Sequence, residues 1–256
     1  MRLSVVIPAR NEEQCIKSTV CDLHATLRQE NIDHEILVVN DNSEDKTGLI
    51  LDNLEKEIST LRCVNNGVPS GFGLAVRRGL ECCTGEAVAT YMADGSDKPE
   101  DLVSFFVALR ENNVDCVFGT RFSKSSRVVG YPVLKLILNR LGNIFIQILF
   151  GLRYNDITNA FKLYRREVLQ GLLPLLSHHF NLTVELPLKA IIRGYSYLVL
   201  PNDWTNRKLG ESKLRIEEMG SRYLFVILYC FLEKLLSKGD YQKGQPRYVP
   251  DTGESD

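Results

Sequence analysis

Tyr91-Met92-Ala93-Asp94-Gly95-Ser96-Asp97-Lys98-Pro99-Glu100-Asp101 carries the densest structural signal in this 256-residue chain. An apolar run over residues 87–92 leads to a carboxylate, a polar turn follows, and Pro99 is placed to open a helix. In open α/β sheets ligands settle beyond the carboxyl ends of the strands. Asp94, at a strand tip, therefore points to where a diphosphate and its hard, oxygen-seeking cation would sit. Helix capping is the structural alternative for both aspartates. Asp97, two residues before the proline, is read as a cap, and Asp94 as the functional group.

The same alternation extends on either side. Residues 3–7 form a continuous apolar strand, and Pro8-Ala9-Arg10 turns out of it. Asn11 and Gln14 have capping-box spacing for a helix to about Arg28. A strand over 35–39 ends in Asn40-Asp41-Asn42-Ser43, with Ser43 as cap of a helix toward Ile58. A weaker strand over 61–64 precedes a glycine-rich turn, 67–73, and a helix to about Cys83. A helix over 99–112 and a strand over 115–118 follow. Apolar strands separated by helices predict a parallel sheet covered on both faces. Right-handed crossovers stack the strand tips along one edge, so Arg10, Asp41, Asp94 and Arg121 are expected to share one crevice.

Thirty-one basic and 32 acidic side chains leave a formal net charge of -1, which gives no global footprint for nucleic acid. Basic groups do cluster locally, at Arg121, Lys124 and Arg127 and at Arg207, Lys208, Lys213 and Arg215. Such runs are solvated faces or phosphate sites. The seven cysteines form no C-x-x-C pair and have no ligand spacing with the four histidines, so buried reduced thiols are expected. The apolar run after Met1 is too short for a signal peptide and reads as the first strand.

The second half differs in character. Residues 131–152 are apolar, but Lys135, Asn139, Asn143 and Gln147 recur every fourth residue as a narrow helical stripe. With Arg140 these polar groups argue against a membrane span. The apolar run 223–232 is too short to cross a bilayer. Both segments fit either core helices or helices lying in a membrane surface, burial in a core being the commoner outcome. From Gly239 onward the composition predicts disorder.

Several signatures, in order along the chain, resemble family 2 glycosyltransferases. They are Ser4-Val5-Val6-Ile7-Pro8-Ala9-Arg10-Asn11-Glu12-Glu13, Val38-Val39-Asn40-Asp41-Asn42-Ser43 with Thr47, and Gly71-Phe72-Gly73-Leu74-Ala75. Gly119-Thr120-Arg121-Phe122, the stretch from Asp156 to Arg166 and Arg207-Lys208-Leu209-Gly210-Glu211-Ser212-Lys213-Leu214 are similar to the polyprenyl-phosphate branch of that family. The resemblance implies an α/β fold of GT-A type: one nucleotide-sugar-binding domain with a mostly parallel central sheet flanked by helices, and C-terminal amphipathic helices. It divides the chain into a catalytic domain over 1–214, an apolar helix over 215–238 and a disordered tail over 239–256.

The activity implied is inverting transfer from a GDP- or UDP-sugar to a polyprenyl or dolichyl phosphate, or a related glycan acceptor, assisted by Mg2+ or Mn2+. The implied location is cytoplasmic, with peripheral contact at the membrane face. Pro8, Arg10, Glu12, Asp41 and Gly71 fall where the family holds the nucleotide, and Asp94 and Ser96 where it holds the metal. Arg121 falls near the acceptor phosphate, with Lys135, Arg207 and Lys213 as further basic partners.

The chain departs from the family pattern in three places. Met92 replaces the first carboxylate of the D-x-D metal motif, Asn40 replaces the first aspartate of a D-D pair, and Thr158-Asn159-Ala160-Phe161-Lys162 replaces the usual T-S-G-F-R, leaving lysine where arginine is expected. Lysine is a point charge rather than a bidentate fork. A hydroxyl acceptor would need a general base, for which Glu185 is the candidate outside the strand tips, although a satisfied helix charge is the preferred reading of that residue. An anionic phosphate needs only positioning by basic groups. Two other readings are a degenerate binding protein without turnover, motivated by Met92, and a sugar-nucleotidyltransferase. The second is disfavoured because Pro8-Ala9-Arg10-Asn11 is not a glycine-rich triphosphate loop.

Overall fold

The computed structural model describes residues 1–206 and 216–245. Strands β1 (Leu3–Ala9), β2 (His34–Asn40), β3 (Leu61–Asn65) and β4 (Ala87–Thr90) alternate with helices α1 (Ile16–Gln29), α2 (Thr47–Glu57) and α3 (Phe72–Cys82). After α4 (Pro99–Glu111) come β5 (Cys116–Thr120), the short β6 (Val128–Val129) and the long α5 (Val133–Phe150). The chain continues through β7 (Lys162–Arg165), α6 (Arg166–Gly171), α7 (Leu182–Ile192), β8 (Tyr197–Pro201), β9 (Trp204–Thr205) and α8 (Ile216–Leu236).

The main sheet has the order β3-β2-β1-β4-β7-β5-β8, and β6 pairs separately with β9. Within the main sheet every pairing is parallel except the two made by β7, which runs antiparallel between β4 and β5. The mostly parallel sheet expected from the strand pattern is therefore what forms. Side chains along a strand alternate between faces. Leu3, Val5 and Ile7 of β1 join a buried cluster with residues of α1, α2 and α4, while Val6 joins a second cluster with α3, α5, α7 and α8. Gly79 lets α3 lie close on the sheet, since a Cβ there would fall 2.3 Å from Val6 Cγ1.

Four expectations are corrected. The Asn11 capping box does not form: α1 starts after Cys15 without a side-chain cap. Ser43 does not cap α2 either. Instead, Asn11 N–H donates to Ser43 Oγ at 3.0 Å, and Asn11 Oδ1 accepts from Glu44 N–H at 2.8 Å. These side chains clasp the loop after β1 to the loop after β2, which satisfies the same polar groups across two elements.

Asp97 does not cap α4. Lys98 holds the N-cap position without a side-chain capping bond, and Pro99 supplies the helix start. In the tail expected to be disordered, Lys243 N–H donates to Arg193 O and Lys243 Nζ reaches Asp115 at 2.8 Å, while residues 246–256 lie outside the described residues.

The fourth correction concerns α5. Its polar stripe faces inward, where Asn139 Nδ2 and Asn143 Nδ2 donate to Thr158 Oγ1 at 2.7 and 3.0 Å. Val133, Leu141, Phe145 and Ile148 of the same helix are exposed. A helix usually buries its apolar side, and here it is turned outward. Leu224, Phe225, Leu228, Leu232 and Leu235 make a similar exposed row on α8.

Candidate active site

The tips of β1, β2, β4 and β5 open into one cleft of about 1000 Å³. Arg10, Asp41, Asp94 and Arg121 all line it. So do Pro8, Glu12, Gly71, Ser96 and Lys135, while Arg207 and Lys213 lie outside the described residues. The parallel topology explains the convergence: each of these strands delivers the residues that follow its last pairing to the same edge of the sheet.

On the nucleotide side, Asp41 is buried and its carboxylate accepts from Gly71 N–H at 2.9 Å and from Asn66 Nδ2 at 2.7 Å. It therefore shapes the turn that enters α3. Gly73 is needed in that turn because a Cβ would stand 2.6 Å from Ser177 O. Phe72 and Phe180 stack at 4.3 Å across the same wall.

The turn carrying Asp94 is held from several directions. Gly95 has φ +67, a left-handed conformation that suits glycine. Asp94 Oδ1 accepts from Ser96 N–H at 3.1 Å, and Thr19 Oγ1 donates to Ala93 O at 3.0 Å. Thr205 N–H donates to Ser96 O at 3.0 Å, Tyr91 Oη donates to Asp97 O at 2.6 Å, and Asp97 forms an antiparallel bridge with Trp204. Asp203 reinforces this junction by pairing with Lys98 Nζ at 2.7 Å.

Burial, with the charge of Asp94 beside it, pushes the Asp97 carboxyl up to about 8. Asp97 is only 5% exposed and lines the cleft. Spacing before a proline had suggested a cap, and no local pattern distinguishes a capping aspartate from one turned into a cavity.

Arg121 is held by a second residue that motif reading had left without a role. Asp156, fully buried, accepts from Arg121 Nε at 2.9 Å, from Nη2 at 2.7 Å and from the Arg121 backbone N–H at 2.8 Å. The guanidinium also lies 5.7 Å from the ring of Tyr131, which packs 4.8 Å from Trp204. Trp204 is thus a wall of the cleft rather than a core residue. Burial by itself would lower the Arg121 pKa, and Asp156 more than offsets that, so its charge is secure.

Lys162 and Glu185 are structural. Lys162 is buried beneath the cleft and donates to the carbonyls of Ile157, Asn159 and Thr183. Burial pulls its pKa down to about 7. Glu185 accepts from the backbone N–H groups of Leu176 and Ser177 and pairs with Lys189 Nζ at 2.6 Å, all out of solvent. That satisfied network leaves it unsuited to act as a base.

The chain matches the family described as Glycosyl transferase family 2 over residues 4–173. It is 31% identical to a polyprenol monophosphomannose synthase of Mycolicibacterium smegmatis, over 83% of this chain and 81% of that protein. It is 29% identical to an undecaprenyl-phosphate mannosyltransferase of Micrococcus luteus, over 84% of this chain and 88% of that one. Among solved structures, it resembles glucosyl-3-phosphoglycerate synthase from Mycobacterium tuberculosis in complex with Mn2+, uridine diphosphate and phosphoglyceric acid. That likeness has a TM-score of 0.65 and 21% identity, covering 96% of this chain and 80% of the other. The complex of the same synthase with Mg2+ and uridine diphosphate gives a TM-score of 0.64 at 21% identity, covering 96% and 80%. The alternating fold, the cleft at the strand tips and these matches together make the chain a glycosyltransferase belonging to glycosyl transferase family 2.

Proposed function

We propose that this enzyme moves a hexose, with inversion, from a GDP- or UDP-sugar to a polyprenyl phosphate at the cytoplasmic membrane face. The observation that carries the reading is one cleft with two chemically different sides. Pro8, Arg10, Glu12, Asp41 and Gly71 line the side assigned to the nucleotide. Arg121 and Lys135 line the side next to α5, whose outward face is apolar. An anionic head beside a lipid chain matches that sequence of basic and apolar surfaces. Both curated relatives carry names that specify a polyprenyl-type phosphate and mannose. Arg207 and Lys213 are assigned to the same acceptor side.

A phosphate monoester is already ionised near pH 7, so no side chain must remove its proton. Its oxygen forms the new bond to the anomeric carbon while the bond from that carbon to the diphosphate breaks. The nucleoside diphosphate leaves with the electron pair. Arg121 holds the acceptor phosphate, and the Asp156 clamp fixes its orientation.

Asp94 and Ser96 are the proposed protein ligands of a divalent cation. Among the described residues no cluster of three His, Cys, Asp or Glu side chains forms a closed cage. Mg2+ sites built from one or two carboxylates plus substrate phosphates have this open character, so the residues fit such a cation. When bound, it would neutralise charge growing on the departing diphosphate. The catalytic domain over 1–214 is proposed to be followed by an apolar helix, 215–238, that meets the lipid with α5.

The test is transfer of label from a panel of GDP- and UDP-hexoses to a detergent-dispersed polyprenyl phosphate. Asp94→Ala is expected to lower turnover by about 10²-fold or more while the melting temperature holds. Full activity in that variant removes Asp94 from the mechanism. Transfer to free sugars or alcohols, with none to the lipid phosphate, overturns the acceptor assignment.

A further inference from the structure

The replacement of a metal-motif carboxylate by Met92 raises the question of what else in the cleft could complete a cation site. A thioether is a poor partner for a hard cation, so Met92 is no substitute. Asp97 is the buried carboxylate nearest in sequence to Asp94 and Ser96. It is 95% withdrawn from solvent, yet among the described residues its side chain has no hydrogen-bond or ion-pair partner. Buried carboxylates are ordinarily paired or bound to a metal. Every other buried acid of the region meets that rule: Asp41 through Gly71 and Asn66, and Asp156 through Arg121.

Arg121 does not fill the gap. Its charge is felt at Asp97, but its Nε and Nη2 are both committed to Asp156. Asp94, of the same sign and three residues before Asp97, lines the same cleft. Two carboxyl groups on one wall of a cleft repel as carboxylates unless one keeps its proton or a cation lies between them, and a bound cation displaces that proton. The backbone of Asp97 is fixed by Tyr91 Oη and by the bridge to Trp204, so the side chain cannot retreat by moving its turn.

We propose that Asp97 supplies the second carboxylate of the cation site, taking over the role lost at Met92. This rests on the cation reading of the preceding subsection. A site moved from one side of Asp94 to the other still offers two carboxylates and leaves the remaining positions to diphosphate oxygens and water. It also accounts for a buried acid with no side-chain partner among the described residues.

The full chain would be titrated with Mn2+, alone and with UDP or GDP, and free ion followed by electron paramagnetic resonance. Asp97→Asn is nearly isosteric and removes no hydrogen bond, so its melting temperature should not fall. Its Mn2+ affinity is expected to drop by more than the ~100-fold that is the upper end for loss of an outer-shell partner. Asp97→Ser repeats the test if the amide misfolds. Asp94→Asn should lose affinity to at least the same degree. Binding by Asp97→Asn equal to that of the unaltered enzyme, with Asp94→Asn impaired, overturns the assignment of Asp97 and leaves the cation reading intact. If the unaltered enzyme takes up no Mn2+ with either nucleotide, the cation reading itself fails, and this inference fails with it.

Discussion

Removing the carboxylate of Asp156 tests how the cleft holds its principal cationic side chain. Asp156→Ala takes away the acceptor for Arg121 Nε, Nη2 and backbone N–H, at 2.9, 2.7 and 2.8 Å. Breaking a buried ion pair from one side costs about 3–5 kcal/mol, because the remaining charge loses its compensation. Arg121 is 9% exposed and borders the cleft, where water can reach part of the guanidinium, so the lower end, about 3 kcal/mol, applies. For a chain of this size that corresponds to a fall in melting temperature of roughly 6–12 °C.

The assay is thermal unfolding followed by circular dichroism, together with the Michaelis constant for the lipid phosphate. Arg121→Ala and the double variant complete a cycle. The double variant should be clearly more stable than the sum of the two losses predicts, since neither charge is then stranded. The acceptor constant should rise in Asp156→Ala because the guanidinium is no longer oriented. A melting temperature within about 2 °C of the unaltered enzyme, with an unchanged acceptor constant, would refute the reasoning.

Glu35 predicts a pH dependence. Burial would raise its pKa, but bonds from Ser4, Thr84 and Arg62 outweigh that and hold it at about 2, against 4.5 for an ordinary glutamate. Its contribution is therefore present above pH 4.5 and is lost as pH falls toward 2, on the order of 3 kcal/mol in all. Glu35→Gln should flatten the stability profile across that window, as measured by urea unfolding; a profile that still parallels the unaltered protein's would remove Glu35 as the source. The outward faces of α5 and α8 predict binding to vesicles. Replacing Phe145 and Ile148, 46% and 78% exposed, with glutamate should abolish co-flotation with anionic vesicles without lowering the melting temperature. Unchanged flotation would show that these faces do not meet lipid.

The order of strands and helices in the first half was legible because each strand is an uninterrupted apolar run and each turn has its own polar signature. That periodicity, with right-handed crossovers, also places Arg10, Asp41, Asp94 and Arg121 at one edge of the sheet. The motifs identified the family because their order along the chain is itself information.

Other features depended on contacts between residues far apart in sequence. Asn11 and Ser43 carry capping signals, yet they bond each other's loops, since a polar group is equally satisfied by a partner brought in by folding. The insertion of β7 between β4 and β5 depends on pairing across the whole second half. Asp156 acquires its role only when Arg121 arrives beside it, 35 residues away along the chain.

The sequence of α5 gave its two faces but not their orientation. Amphipathic period specifies that a helix has an apolar and a polar side, and the surrounding domain decides which side it buries. Thr158 offers a hydroxyl to the asparagine stripe, so the polar side turns inward and Leu134, Leu141 and Ile148 face out. Asp97 follows the same logic. Its identity and spacing are local, whereas its burial, its lack of a side-chain partner among the described residues and its place in one cleft with Asp94 arise where the β4 turn meets the β8–β9 junction. Local pattern determines what a segment can form, and the energetic cost of leaving polar groups unpaired in the interior determines which arrangement the tertiary structure adopts.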